Sequence, residues 1–115
     1  MKRRRKGSCP ISYSLDIFGD KWTLLILRDI LLRGKSHYGD FLASPEKIST
    51  NILADRLESM LASGLLLKKD DPENWRQTVY SATPKALALR RVISEIAEWG
   101  LAHGTGTKRH SDIVK

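Results

Sequence analysis

A capped helix followed directly by two strands is the pattern that most restricts what this chain can fold into. Ser49 is a favoured helix N-cap, and apolar side chains recur behind it at helical spacing until Gly64, a typical C-terminal glycine. Two segments of strand character follow at residues 65–69 and 78–83, joined by a polar, turn-rich link. This part of the chain predicts a helix and then a β-hairpin with a long loop, residues 70–77.

Helix signals occur on both sides of that unit. Pro10 suits the first position of a helix that Gly19 ends, and Asp20 caps a mostly apolar helix over residues 21–32 that should be buried. A short helix is predicted for residues 38–42, and Thr83 with Pro84 begins a last helix that runs to about residue 101. The predicted fold is mainly α with a small β-hairpin (α+β), in the order of a winged helix-turn-helix.

Length and charge set the organisation of the chain. Its 115 residues suffice for one domain. Five of the basic side chains lie between residues 2 and 6, whereas residues 7–104 carry 12 basic and 12 acidic side chains. We therefore expect a flexible basic arm (residues 1–8), a domain (9–103) and a flexible tail (104–115). A basic arm beside a neutral body fits contact with nucleic acid, or a solubilising role.

Several classes of protein are disfavoured by what the sequence lacks. No apolar stretch reaches the roughly 20 residues of a membrane span, so no membrane contact is expected. One cysteine per chain allows no intramolecular disulfide and suggests a reducing compartment, the cytoplasm. The three histidines show no metal-ligand spacing, and no phosphate loop or nucleophile elbow is present. We predict neither an enzyme nor a bound metal or cofactor.

Four blocks of sequence, in order, resemble the HxlR-type winged helix regulators. They are Cys9-Pro10 with residues 19–28 (GDKWTLLILR), residues 48–57 (ISTNILADRL) with Gly64-Leu65, residues 80–85 (YSATPK), and Glu98-Trp99-Gly100. The resemblance spans roughly residues 9–100 and implies a bacterial, cytoplasmic transcription factor that binds double-stranded DNA as a homodimer. The chain departs from the family pattern at Ala86, where glycine is frequent, and at His37-Tyr38, where Arg-Phe is usual.

The helix that follows Ser49 is the expected reader of DNA, because the second helix of such a pair enters the major groove. Its face turned away from the core carries side chains able to contact bases or phosphates: Ser49, Thr50, Asn51, Asp55, Arg56 and Ser59. Asp55 could also pair locally with Arg56. On the hairpin, which we call the wing, we expect contacts to DNA phosphates or to the minor groove from Lys68, Arg76 and Gln77. Lys35 is expected to contact the DNA backbone.

The aromatic and sulfur side chains carry separate expectations. Trp22 and Trp99 are predicted to be core residues, and Trp75 to anchor the loop on the body of the domain. Apolar faces of the first and last helices are expected to form a dimer interface. Cys9 has two readings: a small buried packing residue, or a redox sensor whose thiolate is favoured by a helix N-terminus and nearby cations.

The sequence therefore predicts a sequence-specific DNA-binding regulator acting as a homodimer, with modulation through Cys9 or a small-molecule or redox effector left open. The competing prediction is a winged helix protein-interaction module without DNA binding. The neutral charge balance of residues 7–104 keeps this second prediction open.

Overall fold

The computed structural model describes residues 9–106, which form six helices and one hairpin. The elements are α1 Pro10–Phe18, α2 Lys21–Arg33, α3 Tyr38–Leu42, α4 Thr50–Ala62, β1 Leu66–Asp71, β2 Asn74–Ala82, α5 Pro84–Leu87 and α6 Arg90–His103. The winged helix-turn-helix order is confirmed. The expected basic arm and most of the expected tail lie outside the described residues.

The predicted N-caps are confirmed in detail. Asp20 accepts a hydrogen bond from the backbone N–H of Thr23 at 3.0 Å, and Ser49 Oγ accepts one from the N–H of Ile52 at 3.2 Å. Thr83 caps α5 in the same way, and Cys9 Sγ accepts from the N–H of Ile11 at 3.3 Å. Each side chain satisfies a backbone donor that has no partner within its own helix.

The long hairpin loop predicted for residues 70–77 is wrong. β1 and β2 pair from Leu66 opposite Ala82 out to Asp71 opposite Asn74, so only two residues form the turn. The Asp71 carboxylate accepts a hydrogen bond from the N–H of Glu73 at 2.9 Å and thereby closes the turn. The prediction failed because the outer half of the hairpin is exposed on both faces and lacks the alternation that marks a half-buried strand.

The single last helix predicted from Pro84 to about residue 101 is also wrong. It is divided into α5 and α6, and the N–H of Leu89 donates to the carbonyl of Ala86 at 2.8 Å in the tight turn between them. Leu89 packs against the core at this junction, while Ala86 is fully buried. Neither glycine nor proline marks the break, so the sequence gives no warning of it.

The core is built around α2 and α4. α2 packs against α1, α4, α6 and β2, which makes it the central helix, as its apolar composition predicts. The buried apolar side chains come from α2, α3, the segment before α4, α4, the start of the hairpin, α5 and α6; they are Ile26, Leu27, Leu31, Phe41, Ile48, Leu53, Leu57, Met60, Leu65, Leu66, Ala86 and Ile93. Leu53, Leu57 and Met60 fix which side of α4 faces inward.

A buried carboxylate joins α2 to the segment that leads into α4. Asp29 is 2% exposed and accepts hydrogen bonds from Ser44 Oγ and from Arg28 Nε, the latter at 3.0 Å. Arg28 also binds Glu46 through two hydrogen bonds of 2.7 and 2.9 Å. Since a buried charge is tolerated only with partners, these contacts hold the segment between α3 and α4 against α2.

The tryptophans follow the sequence expectations only in part. Trp22 packs against the core, as predicted. Trp99 is 68% exposed, so its predicted place in the core is wrong, and Trp75 is 74% exposed rather than anchored on the body. Cys9 is exposed as well, which is at variance with the buried packing residue considered from the sequence. The helical periodicity of α6 predicts an apolar stripe but does not show which part of the protein buries that stripe.

Candidate nucleic-acid interface

The outer face of α4 presents exposed polar side chains. Thr50, Asn51, Asp55 and Ser59 are all exposed, and the last three lie on the side opposite the buried stripe. The helix begins at Ser49, where unpaired backbone N–H groups and the helix dipole favour an anion such as a phosphate. The structure brings together the side chains that the sequence assigned to base and phosphate contact on this helix.

Arg56 differs from its neighbours on α4 because two carboxylates engage it. Its Nε donates to Asp20 at 2.9 Å, and its Nη1 donates to the adjacent Asp55, the local pairing expected from the sequence. The hydrogen bond to Asp20 raises the pKa of Arg56 above its ordinary value. Because Asp20 also caps α2 through Thr23, Arg56 connects the recognition-helix candidate α4 to the start of the central helix.

A second contact holds the first turn of α4. The hydroxyl of Tyr38, the first residue of α3, donates to the backbone carbonyl of Thr50 at 3.2 Å. The sequence analysis did not identify Tyr38 as a site residue, since nothing in its spacing relates it to Thr50. The contact fixes the N-terminal end of α4 relative to α3.

His37 joins the hairpin to the start of α3. Its backbone forms a β-bridge with Val79, and the N–H of Tyr80 donates to the carbonyl of Ser36 at 2.8 Å. The Nε2 of His37 lies 2.9 Å from the Asp71 carboxylate at the end of β1. Its Nδ1 lies 3.5 Å from the carboxylate of Asp40, which also accepts the backbone N–H of His37 at 3.1 Å.

These two carboxylates change the protonation of the imidazole. The hydrogen bond that the ring donates to Asp71, with further charge interaction with Asp71 and Asp40, raises the pKa of His37 above its ordinary value. In turn, the N–H of Glu73 and the His37 ring lower the pKa of Asp71. In its protonated form the imidazole can therefore bridge the wing and α3 through both carboxylates. From the sequence, His37 was noted as a departure from the family pattern and as a possible contact to the DNA backbone, and this bridge to Asp71 was not foreseen.

The predicted wing residues are exposed, and their surroundings are mixed in charge. Lys68 lies on β1, and Arg76 and Gln77 lie near the start of β2, all accessible to solvent. The acidic side chains of Asp70 and Glu73 are exposed on the same end of the hairpin. Lys35 is half-buried just before α3. The basic side chains of the wing can therefore attract a phosphate, whereas its carboxylates would repel one.

An apolar face lies outside this group of residues. Ile11 and Leu15 of α1, and Ile96 and Trp99 of α6, are each about half exposed or more, and both helices pack on α2. A shallow open groove on α6 is lined by Val92, Ile96 and Trp99. The exposed apolar faces expected for the first and last helices are thus confirmed.

Metal and membrane chemistry find no support within the described residues. Between residues 9 and 106, His, Cys, Asp and Glu side chains do not gather in threes at a place where a metal ion could bind. Over the same residues, each helix is too short or too polar to cross a bilayer.

Comparison with known proteins identifies relatives of this chain. The sequence model of the HxlR-like helix-turn-helix family matches residues 17–113. A candidate regulatory protein of Fusobacterium mortiferum, MalR, is 28% identical over 100 residues, which are 87% of this chain and 94% of MalR.

Solved structures agree on the fold. A candidate transcriptional regulator of the MarR family from Porphyromonas gingivalis W83 superimposes with a TM-score of 0.75 and 32% identity, covering 89% of this chain and 99% of that one. The redox regulator HypR, in its oxidised form, has a TM-score of 0.73 at 23% identity, covering 83% of this chain and 97% of its own. At that identity HypR shows a shared fold.

The His37 bridge predicts a pH-dependent stability. Because the folded-state pKa of His37 is raised, the stabilisation is complete below its unfolded pKa of about 6.5 and is lost as pH rises through the folded value. The lowered pKa of Asp71 removes the same stabilisation when pH falls through its folded value. His37→Gln should therefore lose stability relative to the wild type near pH 6 and differ less near pH 9, measured by urea unfolding.

An exposed histidine supplies the control for this experiment. His103→Gln on α6 removes an exposed imidazole from a different element and should not reproduce the loss of stability that His37→Gln shows near pH 6. Equal pH dependence in His37→Gln and the wild type would contradict the bridge.

Proposed function

This chain belongs to the HxlR-like helix-turn-helix family of transcriptional regulators, and from that premise we propose that it binds specific DNA sequences as a homodimer. The family is one of regulators and not of enzymes. The observation that carries the proposal is the outward face of α4, where polar side chains project beside a wing while the opposite face is held in the core. We propose that α4 enters the major groove.

The proposed base contacts follow from the chemistry of the exposed face. Asn51 can pair bidentately with adenine, and Asp55 can accept a hydrogen bond from cytosine. Ser49 and Thr50 at the start of α4, together with its free N–H groups, suit a phosphate, and Ser59 extends the contact. Arg56, already bound by two carboxylates, positions α4 and Asp55 instead of reading a base.

The wing is proposed to add contacts without sequence preference. Lys68, Arg76 and Gln77 are exposed on the hairpin and suit the DNA backbone or the minor groove, and Lys35 suits a phosphate before α3. The basic arm, residues 1–8, is proposed to lie along phosphates, where each contact would steepen the fall of affinity with salt.

The homodimer is proposed from the exposed apolar face of α1 and α6. Four large apolar side chains exposed on two helices that both pack on α2 are an unusual cost for a monomer of this size, and a second copy of the chain would cover them. Two recognition helices would then contact half-sites about one helical turn apart.

Cys9 is proposed as a point of modulation, in a protein that we assign to the reducing cytoplasm. Its thiol is exposed at the start of α1, which carries Ile11 and Leu15 of the proposed dimer face. With one cysteine per chain, a disulfide must join the partner subunit or a small thiol. Either product would alter the dimer contact and hence the spacing of the two recognition helices.

Asn51→Ala tests the readout. Selection of bound duplexes from a random pool gives the preferred sequence, and the variant should lose about 1–3 kcal/mol on it, with little change on random DNA. Arg76→Ala should weaken binding to all duplexes similarly and reduce the salt slope by about one. Identical behaviour of the two variants would contradict the roles of helix and wing.

The same experiment separates DNA binding from the alternative of a protein-interaction module, which the neutral charge balance of residues 7–104 keeps open. A regulator that binds duplex DNA loses affinity steeply as salt rises. A wild-type protein with no affinity for any selected duplex at low salt would support the alternative.

Trp99→Glu tests the dimer. A charge on the exposed face of α6 should convert the dimer to a monomer in sedimentation at micromolar concentration, because a buried unpaired carboxylate is costly. Trp75→Glu is the matched control: that tryptophan is also largely exposed but lies on the wing. A monomeric wild type would contradict the proposal.

Cys9→Ser tests the modulation. DNA affinity should change when the wild type reacts with a thiol oxidant and should stay constant when Cys9→Ser is treated in the same way. The serine hydroxyl can still cap α1, so the fold is retained. Equal DNA affinity of the reduced and oxidised wild type would leave Cys9 as a helix cap.

A further inference from the structure

We propose that Trp75, at the outer end of the wing, makes an apolar contact with the deoxyribose wall of the DNA minor groove, beside the site read by α4. The inference rests on the proposed DNA binding and adds a residue that the sequence analysis assigned to the body of the domain. Trp75 is 74% exposed, the highest exposure among the large apolar side chains of the described residues. An indole so placed favours a partner that covers it.

Trp75 lies on a bulge of β2 that exposes its side chain to solvent. Asp70 pairs with Thr78, whereas the next residue of β1, Asp71, pairs with Asn74. Trp75, Arg76 and Gln77 therefore have no counterpart on β1 and form a bulge. The side chain of Asn74 accepts a hydrogen bond from the N–H of Arg76 at 3.2 Å, which holds the bulge in one conformation.

A cation accompanies the indole. The Arg76 guanidinium carbon lies 5.5 Å from the centroid of the Trp75 ring, within the range of a cation–π contact. The pair presents an apolar surface and a positive charge side by side. This combination matches the minor-groove edge of a duplex, where sugars and phosphates alternate.

Two contacts connect the end of the wing to the start of α4. Asp71 contacts His37 at 2.9 Å, and the next residue, Tyr38, donates to the carbonyl of Thr50 at 3.2 Å. Two adjacent residues thus connect the hairpin turn to the first turn of α4. A duplex held by α4 would therefore be within reach of the wing.

The length and charge of the hairpin also favour a contact between the wing and the deoxyribose wall of the groove over a purely ionic contact with phosphates. Of β1, only Leu66 is buried, and the strand extends roughly 17 Å from it to Asp71 at about 3.3 Å per residue. Asp70 and Glu73 are exposed near the tip and would repel phosphates. An apolar contact through Trp75 tolerates these carboxylates better than a purely ionic one.

Trp75→Ala in the full-length chain tests the inference on the duplex selected by the wild type. Affinity should fall about tenfold, the effect of uncovering roughly 55 Å² of apolar surface at ~25 cal/mol/Å². The salt slope should stay that of the wild type because no charge is removed, in contrast to Arg76→Ala. Leu67→Ala is the control, as Leu67 is 60% exposed on β1 of the same hairpin but lies nearer the core, and it should leave affinity unchanged.

A direct measurement follows the indole itself. In protein labelled with 5-fluorotryptophan, the Trp75 fluorine resonance, assigned by its loss in Trp75→Phe, should shift on addition of duplex, whereas that of Trp22 in the core should not. An unshifted Trp75 resonance, or an affinity of Trp75→Ala equal to that of the wild type, would overturn the inference. The proposed function is tested separately by Asn51→Ala. A Trp75 resonance that shifts only with a protein partner, or a wild type that binds no duplex, overturns it as well.

Discussion

Burial of one side of α4 is the contact on which the rest of the molecule depends. Leu53, Leu57 and Met60 are almost completely removed from solvent, and each such side chain contributes on the order of 2 kcal/mol when buried. Because the helix repeats every 3.6 residues, fixing this stripe in the core turns Asn51, Asp55 and Ser59 outward. The surface proposed to read DNA is therefore a consequence of core packing.

Polar contacts then fix the position of α4 to a degree that apolar packing cannot. Asp29 holds the preceding segment through Ser44, Arg56 reaches the cap of α2 at Asp20, and Tyr38 holds the carbonyl of Thr50. Apolar contacts have little directional preference, whereas hydrogen bonds demand particular distances and angles. The recognition-helix candidate is thereby held over its N-terminal half, where base contacts are proposed. His37 extends the same framework to the wing.

Particular residues show where sequence reasoning succeeds and where it fails. The caps at Asp20, Ser49 and Thr83 were predicted because a cap involves residues only three positions apart. The outer hairpin was missed because both of its faces are exposed, so no periodicity marks it. Trp99 was misassigned to the core because a helical stripe looks the same whether its own chain or a second one covers it.

The sequence by itself determined the order of the elements up to the end of the hairpin, the caps of α2, α4 and α5, the inward face of α4 and the family, since all of these depend on local spacing and short motifs. Only the tertiary structure decided that Arg56 binds Asp20, that His37 binds Asp71 and that Trp75 stands on a bulge. These contacts join residues 34 and 36 positions apart, or depend on the register of two strands. Such distances are set by how the chain closes on itself, which no local pattern encodes.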